Sequence, residues 1–405
     1  MTRPDVIVVG AGPAGAATAI LLCERGLDVL VVDRAKFPRP KLCGEYLSPE
    51  SARILDRLGV LKAVDAAGAT PLLGMRITAP DGTVLEARYR AVDDRQPYRG
   101  HAMALSRTVL DAILADRLRA LPVDFREGVR VTDLVIEGDP VTGGDRVTGV
   151  EMLDAAGRRE TVAAPLVIGA DGRASVVAHR LGCRHPHRLQ RIALVTYVTG
   201  LADCRDVGEI FVDPPDYAIL NPLAPDRVNM SLVVPLAHVG PWRGRLQTFF
   251  ASRVKQLAHL APRVAGAECV APIEAMGPLA YHVTPPRHAG VLLVGDAAGF
   301  YDPLTGEGVF TALRGAELAA ETAGHALARG DVSLAALARY RDARRAVFAD
   351  KQRFTRALQF IIAHRRAADV TAHTLARRQE LLDLTLGVVG DFVPPRALLS
   401  RALGL

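Results

Sequence analysis

Asp5-Val6-Ile7-Val8-Val9-Gly10-Ala11-Gly12-Pro13-Ala14-Gly15, running on to Val29-Leu30-Val31-Val32-Asp33, is the stretch that decides the fold. An apolar strand ends in a tight glycine turn, a helix follows, and a second apolar strand closes with a carboxylate. This is a nucleotide-binding βαβ unit. Gly10 permits the turn, Gly12 lets backbone approach a pyrophosphate, and Gly15 lets the helix pack close to the strand. The diphosphate then sits on a helix N-terminus, where free N–H groups and the dipole favour negative charge. Asp33 falls where a carboxylate can accept both ribose hydroxyls of an adenosine. Because FAD and NAD share the ADP moiety, the fingerprint alone does not separate them.

Composition narrows the class. A chain of 405 residues with 49% hydrophobic and 23% charged residues is expected to fold as two domains sharing a core. Its five cysteines, Cys23, Cys43, Cys183, Cys204 and Cys269, contain no C-x-x-C pair. That argues against a disulfide framework or zinc site and fits a reducing cytoplasm. Arg3, an apolar stretch and small residues imitate a secretory leader, but the glycine fingerprint explains them better. No apolar run approaches the roughly 18 residues of a spanning helix. Between Arg339 and Arg401 thirteen Lys and Arg face six acids, which covers the whole formal excess of +6. The body is therefore near neutral, and no module or aromatic-interleaved basic patch supports nucleic-acid binding.

Working outward, Arg34, Lys36, Arg39 and Lys41 punctuate a Pro-rich loop beside the predicted diphosphate site. Ser48 is expected to cap a helix with Pro49 in its first turn and Gly59 as its stop. Residues 72–90 read as a hairpin around Asp81-Gly82. Ser106 caps a periodic helix whose first residue, Arg107, gains nothing from the dipole, which suits a partner such as phosphate and a solvent-facing side chain equally. Residues 123–170 alternate like antiparallel strands and end in Leu166-Val167-Ile168-Gly169-Ala170-Asp171-Gly172. A second strand-rich region, 191–235, is interrupted by prolines 214, 215, 222 and 225, and a helix over roughly 241–260 follows. Gly290-Val291-Leu292-Leu293-Val294-Gly295-Asp296 is a buried strand ending in Gly-Asp, and glycines 306 and 308 open a helix to about Leu327. From Arg339 onward the pattern is helical.

Gly10-x-Gly12-x-x-Gly15, Ala170-Asp171-Gly172 and Gly295-Asp296 together resemble, in order and spacing, the FAD-dependent oxidoreductases with the para-hydroxybenzoate hydroxylase fold. Lys41-Leu42-Cys43-Gly44-Glu45 and the Gly-Asp segment look like the geranylgeranyl-reductase-like branch, which includes monooxygenases of polyketide and phenolic-lipid pathways. The resemblance covers roughly residues 1–330. It implies an α/β fold: a Rossmann-like, glutathione-reductase-type FAD-binding domain from 1–70, 101–185 and 276–338. An antiparallel-sheet substrate domain from 71–100 and 186–275 is inserted in it, and a helical region, 339–405, follows.

Position by position, the resemblance implies that Gly10, Gly12, Pro13, Ala14 and Gly15 hold the diphosphate. Asp33 binds the ribose, Arg34 lies by the adenine, and Arg107 approaches the phosphates. Asp171 and Gly172 sit near the diphosphate and the path of the nicotinamide donor, and Asp296 binds the ribityl chain. Thr305, Gly306 and Gly308 present N–H groups to flavin N1 and the C2 carbonyl. Lys41, Val131, Gly295, Pro303 and Val309 complete the cofactor set. Tyr46, Tyr217 and Asn221 are substrate-facing candidates, although Tyr217 in an alternating strand fits the core equally well. No catalytic acid, base or nucleophile stands out, and the histidines lack a metal ligand set.

The implied activity is a monooxygenase. NAD(P)H reduces FAD, and a flavin C4a-hydroperoxide hydroxylates a hydrophobic, aromatic or polyketide-type substrate. The alternative is a reductase of isoprenoid double bonds. Gly299 stands where aromatic hydroxylases carry histidine. The only tryptophan is Trp242, and the segment Tyr217-Ala218-Ile219-Leu220-Asn221-Pro222 lacks the tryptophan motif of reductases and halogenases. The basic C-terminal helix suits either a solvated face or weak contact with an acidic membrane surface.

Overall fold

The computed structural model describes residues 3–138 and 144–403. Five strands form a parallel sheet in the spatial order Val291–Leu293, Leu166–Gly169, Val6–Val9, Val29–Asp33, Asp124–Glu127. Its central strands are apolar throughout because both faces are covered. Val6, Val8, Val29 and Val31 pack with helices Pro13–Cys23 and Gly308–Ala328. Ile7, Val9, Leu30 and Val32 pack on Val131, Leu134, Val147 and Val150 of a three-stranded antiparallel sheet, Arg130–Gly138, Asp145–Leu153 and Arg159–Ala163. Period-two alternation thus sorts one valine-rich strand between two cores.

Ser48 and Ser106 cap helices Pro49–Arg57 and Arg107–Arg119 through side chains that accept the Ser51 and Val109 N–H groups. A larger sheet of eight strands draws on 74–88 and 191–276, with Gly74–Thr78 lying parallel to Val207–Asp213 and its other pairings antiparallel. One face, with Ala193, Val195, Ile219 and Val233, looks toward the parallel-sheet unit and the C-terminal helices. The other, with Leu194, Ala218, Leu220 and Leu232, is covered by Phe249 and Phe250 of helix Leu246–Gln256. The strand Asp216–Ala224 runs through Pro222, and the register shifts between Pro222 and Ala224.

Where one helix was expected over 241–260, the chain forms short turns at Leu236–Val239 and Gly240–Trp242, then Leu246–Gln256 and Leu260–Arg263. Gly244, at φ +77°, breaks the helical path before the longest piece. Helices Leu334–Ala363, Arg365–Ala376, Gln379–Val389 and Pro395–Leu403 complete the fold. Ile362, Ala368, Ala372, Leu382 and Leu386 from the first three join Tyr46, Met75 and Leu304 in one core. The C-terminal helices therefore close the face of the large sheet that carries Ala193, Val195, Ile219 and Val233. No helix among the described residues is long and apolar enough to cross a membrane.

Candidate active site

A cavity of about 520 Å³ lies between the parallel sheet and the large sheet. Gly10, Gly12, Pro13, Ala14, Asp33, Arg34, Lys41 and Arg107 line one part of it, and Val131, Asp171, Gly172 and Asp296 line it too. Pro303, Gly306, Gly308, Val309, Tyr46 and Asn221 also reach it. The glycines have separate jobs. At Gly10 the backbone has φ +99°, and a Cβ there would lie 2.6 Å from the Ala170 carbonyl oxygen. A Cβ on Gly12 would meet only Arg39 Nη2 at 3.7 Å and Arg107 Nη2 at 4.0 Å. The space above Gly12 thus opens onto two guanidinium groups.

Those groups are anchored by Asp111, whose side chain is fully buried. Arg107 donates to it through Nε and Nη2, both at 2.9 Å, and Arg39 Nη1 lies 3.1 Å away. Burial opposes the charge of Arg107, but Asp111 and Cys43 hold its pKa above the ordinary value. Lys41 has the opposite balance. Burial, then Arg107 and Arg39, push its pKa down, with Asp296 acting against them. Arg39 and Arg107, with Lys41 close enough to feel both, open over a glycine at a helix N-terminus, which is the donor set a diphosphate requires. The residues fit FAD.

Asp33 uses one carboxylate oxygen for the Ala11 N–H and the other for the Ala35 N–H, both at 2.8 Å. The carboxylate therefore fixes the glycine turn and still lines the cavity. Asp171 accepts the Val176 N–H at 2.6 Å, while its buried Oδ1 has no protein partner. Burial raises the pKa of Asp171, and also that of Asp296, against which Arg107, Lys41 and Arg173 act.

Four predicted residues do not line the cavity. Gly15 packs behind it, where a Cβ would lie 1.8 Å from the Gly10 oxygen. Gly295, at φ +57°, packs on Ala14 and brings Asp296 to the first helical turn. Thr305 is buried, and its Oγ1 has no partner. Tyr217 is also fully buried, its hydroxyl donating to Asp302 Oδ1 at 2.5 Å under the loop that follows the Gly-Asp segment. A further difference concerns Gly306, whose N–H donates to the Pro303 carbonyl at 2.9 Å and is not free. The amides without helical partners belong to the first turn of Gly308–Ala328.

Sequence reasoning missed Asp111 and Glu45. Glu45 lines the cavity in a left-handed conformation at φ +59°. It accepts the Arg107 N–H at 3.0 Å, the Tyr197 hydroxyl at 2.9 Å and Asn229 Nδ2 at 3.1 Å. Burial pushes its pKa up against these three donors. Asn221 and Asn229, directly paired on neighbouring strands, donate to the Gly44 and Cys43 carbonyls. The segment 41–46 is thus a strap tied to the large sheet by two carboxamides. Among the described residues no cluster could hold a metal ion.

Residues 3–355 match the model of a family described as FAD binding domain. The chain belongs to this FAD-binding family. It is an FAD-dependent oxidoreductase. Among curated proteins, this FAD-binding chain is 30% identical over 336 residues to a menaquinone reductase of Mycolicibacterium smegmatis, covering 79% of the chain and 76% of that protein. It is 28% identical over 345 residues to a digeranylgeranylglycerophospholipid reductase of Methanosarcina mazei, covering 82% and 78%. Among solved structures, the flavin-dependent brominase Bmp2 superposes with TM-score 0.83 at 20% identity, covering 100% of this chain and 99% of that one. PqsL of Pseudomonas aeruginosa, described as a probable FAD-dependent monooxygenase, superposes with TM-score 0.72 at 22% identity over 91% and 99%. At those identities the structures show a shared fold.

Proposed function

We propose that this oxidoreductase is a monooxygenase that hydroxylates a hydrophobic, aromatic or polyketide-type small molecule, with NAD(P)H as electron donor and oxygen as co-substrate. The observation that carries the reading is the wall of the cavity formed by the large sheet. Met75, Ala193, Val195, Ile219, Ser231 and Val233 line it, and none of them ionises in the working pH range. FAD bound in the cavity supplies electron transfer and oxygen activation. Arg39, Lys41 and Arg107 neutralise its phosphates, and the first helical turn at Gly308 and Val309 favours negative charge at the cavity wall. The apolar side chains seat substrate and exclude water. Trp242 packs against Phe249 on the opposite face of the sheet, so no tryptophan joins this wall.

One observation favours a second reading, reduction of an isoprenoid double bond. Glu45 is a cavity carboxyl whose pKa burial raises, and alkene reduction needs a proton donor beside a hydride, a role such a group would fill. The two named relatives are reductases. Product formation from NADPH and candidate substrates, compared with and without oxygen, separates the readings. Hydroxylation stops anaerobically, whereas alkene reduction continues.

A further inference from the structure

Glu307 lies between Gly306 and Gly308, both of which line the cavity, and occupies the N-cap position of helix Gly308–Ala328. Its Oε1 accepts the Thr355 hydroxyl at 3.1 Å, and Oε2 is 3.5 Å from Lys351 Nζ. Lys351 also donates to Asp391 Oδ1 at 2.8 Å and to the Val388 carbonyl. Side-chain exposures of 11% for Lys351, 18% for Glu307 and 3% for Asp391 put all three largely out of water. They come from a turn at the cavity, the middle of the long helix Leu334–Ala363, and the left-handed residue, φ +70°, that precedes the last helix.

Buried charges demand partners, and here one cation faces two carboxylates. Glu307 Oε2 and Asp391 Oδ2 are buried without hydrogen bonds, so Lys351 is the one cation of the cluster, assisted by the neutral hydroxyls of Thr355 on Glu307 and Ser48 beside Asp391. The fully ionised triad carries one net negative charge directly behind the turn whose glycines line the cavity. Reduction of FAD by two electrons and one proton adds a negative charge to the cofactor. At short range and low dielectric, fixed charge beside the site weighs against or toward that step.

We propose that Lys351, Glu307 and Asp391 set the reduction potential of the bound cofactor, with Lys351 a positioning residue that offsets the two carboxylates behind the Gly306–Gly308 turn. The proposal rests on reading the cavity as the FAD seat. Burial opposes the charge on Lys351, but Asp391 and Glu307 raise its pKa, which keeps the cation in place.

The test is the midpoint potential of FAD in the full-length wild type and three variants, measured by dye equilibration at about pH 8, above the Asp391 titration. K351M shifts the potential more negative. E307Q and D391N shift it more positive. A purely structural role lowers melting temperatures without this reversal of sign, so unchanged potentials, or one sign in all variants, overturn the proposal. If K351M does not fold, positive shifts in E307Q and D391N still support it and their absence overturns it. Wild-type protein that takes up no FAD overturns the cofactor reading and this proposal together. FAD uptake with unaltered potentials overturns this proposal alone.

Discussion

Gly15 sits so close to Gly10 that a Cβ on it would lie 1.8 Å from the Gly10 carbonyl oxygen, whereas a Cβ on Gly12 meets nothing nearer than 3.7 Å. Two glycines of one motif therefore fail in different ways. Gly15→Ala forces helix and strand apart and costs about 3 kcal/mol or more of stability. Gly12→Ala leaves the apoprotein melting near wild type but fills the space under the Arg39 and Arg107 guanidiniums, weakening FAD roughly tenfold or more, about 1.4 kcal/mol. Thermal melts of the apoproteins and fluorescence titration with FAD check both. Equal melting temperatures for the two variants would contradict the assignment.

Tyr217 belongs to the core. Its hydroxyl is a main partner of Asp302, a buried carboxylate whose pKa burial pushes up and Tyr217 holds down. Tyr217→Phe is expected to lower stability by about 1–3 kcal/mol with little change in KM for any substrate. Denaturant melts and steady-state kinetics measure the two effects. A large KM change in a stable variant would return Tyr217 to the substrate site.

Asp391 gives a pH signature. Burial, only partly countered by Lys351, raises its pKa from 3.8 to about 6. The folded state then binds a proton that the unfolded chain releases. Stability from this group is present below about pH 4 and is lost as the pH rises through about 6, on the order of 3 kcal/mol in all. The melting temperature of D391N minus that of wild type should therefore increase between about pH 4 and pH 7. A flat difference would show that Asp391 keeps an ordinary affinity for protons.

The part of the fold that was legible rests on local signals. The glycine turn, the Ser48 and Ser106 caps and the Asp81-Gly82 hairpin each need only a few neighbouring residues. The position of Tyr217 needs more. Tyr217, Ile219 and Asn221 alternate onto one face of the strand, but only the latter two reach the cavity, because Asp302 covers the end of the strand that holds Tyr217. Alternation tells which face a side chain takes and is silent on how far a cavity extends along it. Glu45 depends on Tyr197 and Asn229, 152 and 184 residues away, and Lys351 meets Asp391 from 40 residues away and Glu307 from a separate helix N-terminus. Such partners leave no periodic trace. The broken helix after residue 240 shows the reverse case, in which Gly244 was a readable breaker outweighed by the surrounding apolar pattern.

The cavity joins the residues proposed to hold FAD to an apolar wall proposed to seat substrate, and the fate of oxygen tests that account most directly. The holoenzyme is incubated with NADPH, isotopically labelled oxygen gas and a panel of phenolic and isoprenoid compounds, and products are weighed by mass spectrometry. The account predicts a product carrying one labelled oxygen atom and none formed without oxygen. A product that has gained two hydrogens and no label, formed equally well under anaerobic conditions, would contradict it.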